Sequence, residues 1–227
     1  LASETDVFDF YVGERSVCWF DIVCKGNTGH GSRLIEHTAT EKVQFILNEL
    51  LSYRTQQKVR FDSNKQLQLG DITTINLTKM TGGVQSNVVP SSFTLTFDCR
   101  IATDNYEQFK LFLNDVIQRT PKQNENDVEL IYIHDSGSAH LTDINNQTWW
   151  CNGFKQACKK MNLKLNMAIF SGATDSRFLR KAGYPAIGFS PMNNTPVLLH
   201  DHNEYLDKHI FLRGIEIYCE LIKHLTI

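Results

Sequence analysis

Three polar clusters in the sequence contain residue types that could do chemistry. The first runs from Leu198 to Glu204 and carries two histidines, His200 and His202. Neutral imidazole nitrogens are good zinc ligands, so this cluster could hold a metal ion. Its polar side chains could instead cap the helix that follows. A zinc site needs three or four protein ligands, and no second cluster of His, Cys and carboxylate residues is obvious.

The second cluster lies between a predicted strand and a predicted helix, where the small residues Ser171 to Ala173 precede Thr174. Small residues let backbone N–H groups approach a ligand, and a helix N-terminus favours an anion. The guanidinium of Arg177 has the fork geometry that fits a carboxylate. The pattern therefore predicts either an anion-binding loop or a capped turn with a surface arginine.

The third cluster centres on His30, which lies between Gly29 and Gly31 in a predicted turn. A histidine in this position is expected to be exposed, so it could act as an acid, a base or a donor to an oxyanion. It could equally be a turn residue without a catalytic task. Asn87 and Arg100 open and close a predicted strand, and each could be an ordinary polar residue at a strand end.

The elements that position these residues follow from hydrophobic periodicity. Up to about residue 135 the predicted order is β-α-β-β-α-β, and the elements are Ser16–Lys25, Glu36–Arg60, Asp71–Met80, Asn87–Ile101, Asn105–Arg119 and Val128–His134. Ser32 is a plausible N-cap for the first helix. This is the order of a ferredoxin-like domain, with a four-stranded antiparallel sheet and two helices on one face.

Beyond residue 135 helices alternate with short apolar strands, which is typical of an α/β layer. The predicted helices are 147–161, 176–181 and 207–225, and the predicted strands are 165–170 and 185–189. Two strands cannot form such a sheet, so we expect the missing strands to lie outside this chain. The segment Leu1 to Asp6 has no initiator Met and no features of a signal peptide, and it is typical of the middle of a longer chain.

Composition excludes several classes of protein. Lys and Arg number 23 and Asp and Glu number 25, a net charge of −2, so no basic excess indicates binding to nucleic acid or an anionic membrane. The apolar stretches are too short to cross a bilayer. The six cysteines form no C-x-x-C pair, which favours free thiols in a reducing, cytoplasmic compartment.

Taken together in this order, these pieces resemble the zinc-dependent aminoacylase and metallopeptidase family. The matching stretches are GERSVCWFDIVCKGNTGHGSR, ITTINLTKMTGGVQSNVVP, FTLTFDCRIATD, GATDSRFLRKAGYPAIGFSPMNNTPVLLHDHNE and FLRGIEIY. The resemblance implies an α/β catalytic domain that binds two zinc ions, with an inserted ferredoxin-like (lid) domain that usually makes a homodimer. It therefore predicts an α/β protein in which 1–15 is a linker or the end of a catalytic-domain segment, 16–135 is the ferredoxin-like dimerisation domain, and 136–227 is the C-terminal part of the catalytic domain.

The resemblance also implies an activity, the hydrolysis of N-acyl-L-amino acids to a carboxylate and a free L-amino acid by a water that two zinc ions activate. The implied roles are an oxyanion donor that enters the partner subunit's site (His30), substrate contacts from the inserted domain (Asn87, Arg100), contacts to the substrate's α-carboxylate (Thr174, Arg177) and one zinc ligand (His200). His202 and Glu204 receive no ligand role.

The family's other zinc ligands and its general-base glutamate lie upstream of the point where this chain begins. We therefore expect a C-terminal fragment that is inactive alone and whose partner is the missing N-terminal half of the same enzyme. Two alternatives stay open. One is a non-catalytic dimerisation module, and the other is a dipeptidase or carboxypeptidase of the same family, whose substrates also present a carboxylate to Arg177.

Overall fold

A computed structural model describes residues 2–145, 149–199 and 201–226. Its strands in chain order are β1 (Phe8–Glu14), β2 (Ser16–Lys25), β3 (Gly29–His30), β4 (Thr74–Gly82), β5 (Val88–Val89), β6 (Ser92–Ile101), β7 (Val128–Asp135), β8 (Leu165–Phe170) and β9 (Gly188–Phe189). Its helices are α1 (Ala39–Ser63), α2 (Tyr106–Arg119), α3 (Trp149–Lys160), α4 (Ser176–Lys181) and α5 (Lys208–Leu225).

The described residues divide into two compact units. The first, here called the ferredoxin-like unit, comprises Arg15–Ala139 and Ser171–Ala173. The second, here called the α/β unit, comprises the described residues of Leu1–Glu14, His140–Phe170 and Thr174–Ile227. In neither unit is any described helix long and apolar enough to cross a membrane.

The ferredoxin-like unit has the predicted four-stranded sheet, in the order β4-β6-β2-β7. Neighbouring strands are antiparallel, with Phe20 opposite Phe97 at the centre. Alternate residues of β2 and β6 face α1 and α2 and form a core with them, whose largest members include Phe20, Ile22, Leu95, Phe97, Ile46, Leu50, Phe109 and Leu113. Burying each such side chain contributes about 1.5–3 kcal/mol. The predicted fold class is thus confirmed.

The first helix begins later than predicted. Its N-cap is Thr38, whose hydroxyl accepts from the Glu41 N–H at 3.3 Å while the Glu41 carboxylate accepts from the Thr38 N–H at 2.9 Å. This reciprocal pair is a capping box. The prediction of Ser32 as the N-cap is wrong, because the backbone N–H of Ser32 donates to a side chain inside a loop that ends at His37.

The long strand predicted from Asn87 to Ile101 is divided in two. Pro90 and Ser91 separate β5 from β6, and proline has no N–H to continue a ladder. Because of this break, β5 leaves the main sheet and pairs with β3 instead, in antiparallel fashion.

The α/β unit contains a strand that the sequence analysis did not assign. Strand β1 lies between β8 and β9 and is parallel to β8 and antiparallel to β9. Its alternate residues Phe8, Phe10 and Val12 are buried in a core with side chains of α3 and α5. The first 14 residues therefore supply the central strand of a three-stranded sheet.

Candidate functional site

Strands β3 and β5 bring His30 and Asn87 together in the ferredoxin-like unit. His30 lies opposite Val88 in the ladder, and the Gly31 N–H donates to the Asn87 carbonyl at 2.8 Å. The Asn87 Nδ2 and the His30 Nε2 are 3.5 Å apart. Both side chains are exposed, so an external molecule can reach the pair.

The surroundings of the His30 ring determine which nitrogen carries the proton. The Ser32 backbone N–H donates to His30 Nδ1 at 3.2 Å, and the Ser32 hydroxyl lies 2.8 Å from the same nitrogen. Because Nδ1 accepts a hydrogen bond, the neutral ring carries its proton on Nε2. The Nε2–H of His30 and the amide of Asn87 are then two neighbouring donors that can share one external anionic oxygen.

Arg100 lies in the four-stranded sheet, whereas the donor pair lies at the separate β3-β5 ladder. Arg100 is eight residues beyond Ser92, where β6 begins, and this stretch of strand is about 26 Å long at the usual rise. Its Nε and Nη2 donate to the two carboxylate oxygens of Asp98 at 2.6 and 2.9 Å. The structure therefore brings His30 and Asn87 together, and it does not bring Arg100 to them.

Arg15, which the sequence analysis did not single out, joins Arg100 at that end of the sheet. Its guanidinium donates to the Ser171 carbonyl at 2.7 and 3.0 Å, and to the Ile72 carbonyl and the Thr74 hydroxyl at 3.1 Å. Burial, together with the positive charge of Arg100, lowers the pKa of Arg15 to about 10. Within the ferredoxin-like unit, Arg15 thus links Ser171, at the start of the predicted anion-binding loop, to Ile72 and Thr74.

Thr174 forms hydrogen bonds to the carboxylate of Glu14 in the α/β unit. Its hydroxyl donates to Glu14 Oε1 at 2.9 Å, and its backbone N–H donates to the other oxygen of that carboxylate. Glu14 also accepts from Arg180 at 2.9 Å, and both charged side chains are buried. The role of Thr174 toward a substrate stays a prediction. The charged pair Glu14-Arg15 within an apolar stretch was the available sequence signal for these anchors.

The described residues do not satisfy every hydrogen-bond donor of Arg177. Its Nε is buried and has no hydrogen-bond partner among the described residues. Its guanidinium carbon lies 4.7 Å from the centre of the Phe178 ring. A buried donor without a partner costs about 1–3 kcal/mol, and such groups are rare in native proteins. A ligand carboxylate would supply the missing acceptor.

The metal prediction depends on a residue outside the described part of the chain. His200 is not among the described residues. Within the residues that are described, no group of three or more His, Cys, Asp or Glu side chains could hold a metal ion. These residues therefore do not make a zinc site by themselves, and the assignment of His200 stays a prediction.

Comparison with known families gives a match over residues 12–128, to the family described as the peptidase dimerisation domain. The chain belongs to this family. Its match covers β2 to β6 with α1 and α2, which carry both His30 and Arg100. The resemblance to aminoacylases and metallopeptidases that the sequence predicts is thereby confirmed.

Curated relatives of this dimerisation-domain protein include aminoacylases. Aminoacylase-1 of Mus musculus is 42% identical over 226 residues, which cover 100% of this chain and 55% of the relative. Aminoacylase-1 of Homo sapiens is 40% identical with the same coverage, and that of Dictyostelium discoideum is 40% identical over 241 residues and 57% of its length. The chain thus spans little more than half the length of these relatives.

Solved structures share the fold at low sequence identity. A tripeptidase from Staphylococcus aureus has a TM-score of 0.72 and 17% identity, and the alignment covers 99% of this chain and 55% of that one. An amidase of the hydantoinase/carbamoylase family from Burkholderia phymatum has a TM-score of 0.67 and 11% identity, over 95% and 49% of the two chains. These similarities concern the fold alone.

Proposed function

We propose that this chain forms part of a zinc-dependent aminoacylase that hydrolyses N-acyl-L-amino acids to a carboxylate and a free L-amino acid. The observation that carries the proposal is the exposed pair of His30 and Asn87 on a short ladder, in which His30 Nδ1 accepts from the Ser32 N–H and Nε2 lies beside the Asn87 amide. Identity of about 40% to aminoacylases along the whole chain supports the choice of substrate class.

His30 acts as a donor to the oxyanion that forms when water adds to the acyl carbonyl. Donors that are already oriented stabilise this developing charge without reorganising during the reaction. The hydrogen bonds from Ser32 to Nδ1 keep the ring in the required tautomer and orientation. Asn87 contributes a second N–H donor beside it.

Arg177 receives the α-carboxylate of the substrate. Its buried Nε without a partner among the described residues supports this role, because a carboxylate accepts two parallel N–H bonds from a guanidinium. Thr174, which precedes α4, contacts the same α-carboxylate in this proposal. Its N–H and hydroxyl donate to the Glu14 carboxylate, which holds Thr174 in place before the substrate arrives.

Two subunits contribute to each active site in this proposal. Arg100 lies about 26 Å along β6 from Ser92, the residue at which that strand begins, and Asn87 precedes Ser92 in the chain. This length of strand exceeds that of a small N-acyl amino acid. If all three residues contact substrate, Arg100 serves a site in its own subunit while His30 and Asn87 serve the partner's site. This division supports a homodimer.

The edge strand β4 is the surface through which we propose that two copies of this chain associate. Leu77 and Met80 on β4 are 36% and 46% exposed, and Leu51 on α1 is 43% exposed. The Arg54 Nε lies 3.4 Å from Asn76 of β4, and Leu51 is one helical turn from Arg54, so Leu51 lies over the same edge. Strand β4 is an edge of the four-stranded sheet, and an edge strand is a template for antiparallel pairing with a second copy.

We propose zinc as the cofactor, held by His200 together with ligands from an upstream segment of the same enzyme. Zinc would supply an activated water. An apolar stripe on α5 supports the existence of such a segment, since Phe211, Ile215, Tyr218 and Ile222 are each 45–57% exposed. Their spacing of three and four residues puts them on one helix face, and an exposed apolar stripe marks an interaction surface.

We infer a cytoplasmic location for this enzyme. All six cysteines are free, and Cys18 and Cys99 face each other across β2 and β6 without a disulfide. Burial, reinforced by the negative charge of Asp135, raises the pKa of Cys18 to about 12. The thiol is therefore protonated and unreactive, which suits a reducing compartment.

The experiment joins or co-expresses this chain with the upstream segment of an aminoacylase relative and measures bound zinc and hydrolysis of N-acetyl-methionine. Turnover by the complete protein, with little bound zinc and no turnover by this chain alone, is the expected result. Dipeptides in parallel test the peptidase alternative. A complete, folded protein that binds zinc and hydrolyses neither substrate class would leave the non-catalytic dimerisation module as the better description.

A further inference from the structure

A buried lysine lies beside the loop that carries His30. The side chain of Lys42, near the start of α1, is only 2% exposed. Its ammonium donates to the His37 carbonyl at 3.2 Å and lies 3.6 Å from the Asp127 carboxylate. Residues 27–37, which precede the N-cap of α1, are here called the His30 loop.

The position of Lys42 has no explanation within its own helix. A positive charge in the first turns of a helix is unfavourable, because the helix dipole is positive at that end. Burying an ammonium is costly, and an apolar side chain of similar volume would fill the same space at lower cost. The contacts of the ammonium must therefore account for a lysine at this site.

Those contacts converge on the neck of the His30 loop. The His37 carbonyl accepts from the Asn27 N–H at 3.1 Å as well as from Lys42. The Asn27 side chain donates to the Glu36 carbonyl at 2.9 Å. A Cβ on Gly26 would lie 2.2 Å from the Ala39 nitrogen, so the two ends of the loop touch. The ammonium of Lys42 thus binds a carbonyl that joins both ends of the loop.

The backbone at this carbonyl needs external support. His37 has a φ of 58°, in the left-handed region that non-glycine residues rarely adopt. Such a conformation persists only where the surrounding structure imposes it. The capping box of Thr38 and Glu41 imposes it from one side, and Lys42, with its charge balanced by Asp127, imposes it from the other.

We propose that Lys42 is a positioning residue that holds the His30 loop in the conformation in which His30 can donate to the oxyanion. The inference rests on the proposed function, because it concerns how His30 reaches its task. The middle of the loop is tied to Asn87 through Gly31. Lys42 fixes the neck, where the two ends of the loop meet, so His30 projects from a loop held at its middle and at its neck.

The first test measures mobility of the loop in this chain alone, using trypsin cleavage after the exposed Arg33. Lys42→Met keeps the side-chain volume and removes the ammonium. Lys58→Met is the matched control, since Lys58 lies on the same helix, is 64% exposed and, among the residues that the structure describes, forms an ion pair only with Asp62. We expect Lys42→Met to be cleaved after Arg33 at least about tenfold faster than wild type, and the control to be cleaved at the wild-type rate.

Folding is checked by far-UV circular dichroism and thermal unfolding. Lys42→Gln, which keeps an N–H donor without the charge, serves as a second variant and should be cleaved at an intermediate rate. Unchanged cleavage in a folded Lys42→Met or Lys42→Gln protein would overturn the inference.

The second test uses the complete enzyme. Because an oxyanion donor acts mainly in the transition state, Lys42→Met should lower kcat at least about tenfold while KM stays within about twofold of wild type. Equal loss in the Lys58→Met control, or a change in KM alone, would contradict a positioning role. If the wild-type enzyme shows no hydrolysis, the proposed function fails, and the trypsin experiment still decides whether Lys42 holds the loop.

Discussion

Arg177 and Arg180 lie three residues apart on α4, and the structure gives them different tasks. Arg180 is buried against Glu14 and also donates to the Ala186 carbonyl. Removing one member of such a buried pair typically costs about 3–5 kcal/mol, so Arg180 is a structural residue. Arg177 keeps a buried Nε without a partner among the described residues, and we propose it as the arginine that binds the substrate carboxylate.

Arg177→Lys in the complete enzyme should mainly raise KM for N-acyl amino acids. Lysine keeps the charge and loses the bidentate fork, so we expect a loss of about 1–3 kcal/mol in kcat/KM. Steady-state kinetics with N-acetyl-methionine measure this loss. Arg213→Lys, a change at an exposed arginine of α5, is the matched control. N-acyl amines that lack the carboxylate should be nearly indifferent to Arg177→Lys, and an equal loss with them would make Arg177 structural.

At the scale of elements, the two edge strands of the ferredoxin-like sheet, β4 and β7, differ in their side-chain contacts. At the β7 edge the ammonium of Lys110 from α2 lies 3.4 Å from the centre of the Tyr132 ring and binds Asp135. At the β4 edge every residue from Asn76 to Gly82 is exposed. The β4 edge is therefore a candidate for pairing between copies, to be compared directly with the β7 edge, where Ile131 and Ile133 are 42% and 55% exposed.

Met80→Lys should weaken dimerisation, because the two-fold arrangement would bring like charges together and bury them. We expect the dimer dissociation constant to rise at least about a hundredfold, equivalent to about 3 kcal/mol. Sedimentation velocity over a concentration series measures this change. Ile131→Lys on β7 is the matched control, since Ile131 is 42% exposed compared with 46% for Met80. If Ile131→Lys weakened the dimer and Met80→Lys did not, the interface would lie at the β7 edge.

At the scale of the whole molecule, the proposal that each active site takes residues from two subunits can be tested with mixed dimers. Consider a mixed dimer of two different inactive variants. If the two mutated residues are supplied to a site by the same subunit, both sites of the dimer stay defective. If they are supplied by opposite subunits, one site of the dimer is intact. The proposed division puts Arg100 and His200 in one group and His30 in the other.

Mixing inactive His30→Ala enzyme with inactive His200→Ala enzyme should restore activity. Each mixed dimer then has one site with an intact metal ligand and an intact partner His30, so activity returns toward half that of one wild-type dimer. The same recovery is expected for His30→Ala with Arg100→Ala, and none for Arg100→Ala with His200→Ala. Activity is assayed after exchange, with mixed dimers verified by two affinity tags. If verified mixed dimers of the first pair stay inactive, His30 acts within its own subunit.

The sequence by itself determined the elements whose signals are local. Strands β2 and β8 and helix α4 have the bounds predicted from the sequence, β2 from its apolar, β-branched and aromatic composition, and His30 is exposed as its flanking glycines indicated. The start of α1 was also readable, because Thr38 and Glu41 have the three-residue spacing of a capping box, whereas Ser32 and Glu36 are four apart.

Only the tertiary structure decided which distant residues meet. The pairing of β3 with β5 brings Asn87 to His30 across 57 residues, and Glu14 finds Arg180 across 166 residues. From the sequence, Lys42 is expected to be an ordinary surface lysine of a helix. In the structure it is buried, beside Asp127 and the His37 carbonyl. Periodicity reports which face of an element is apolar. It carries no information about the partner of a polar group, because that partner is chosen by how the elements pack.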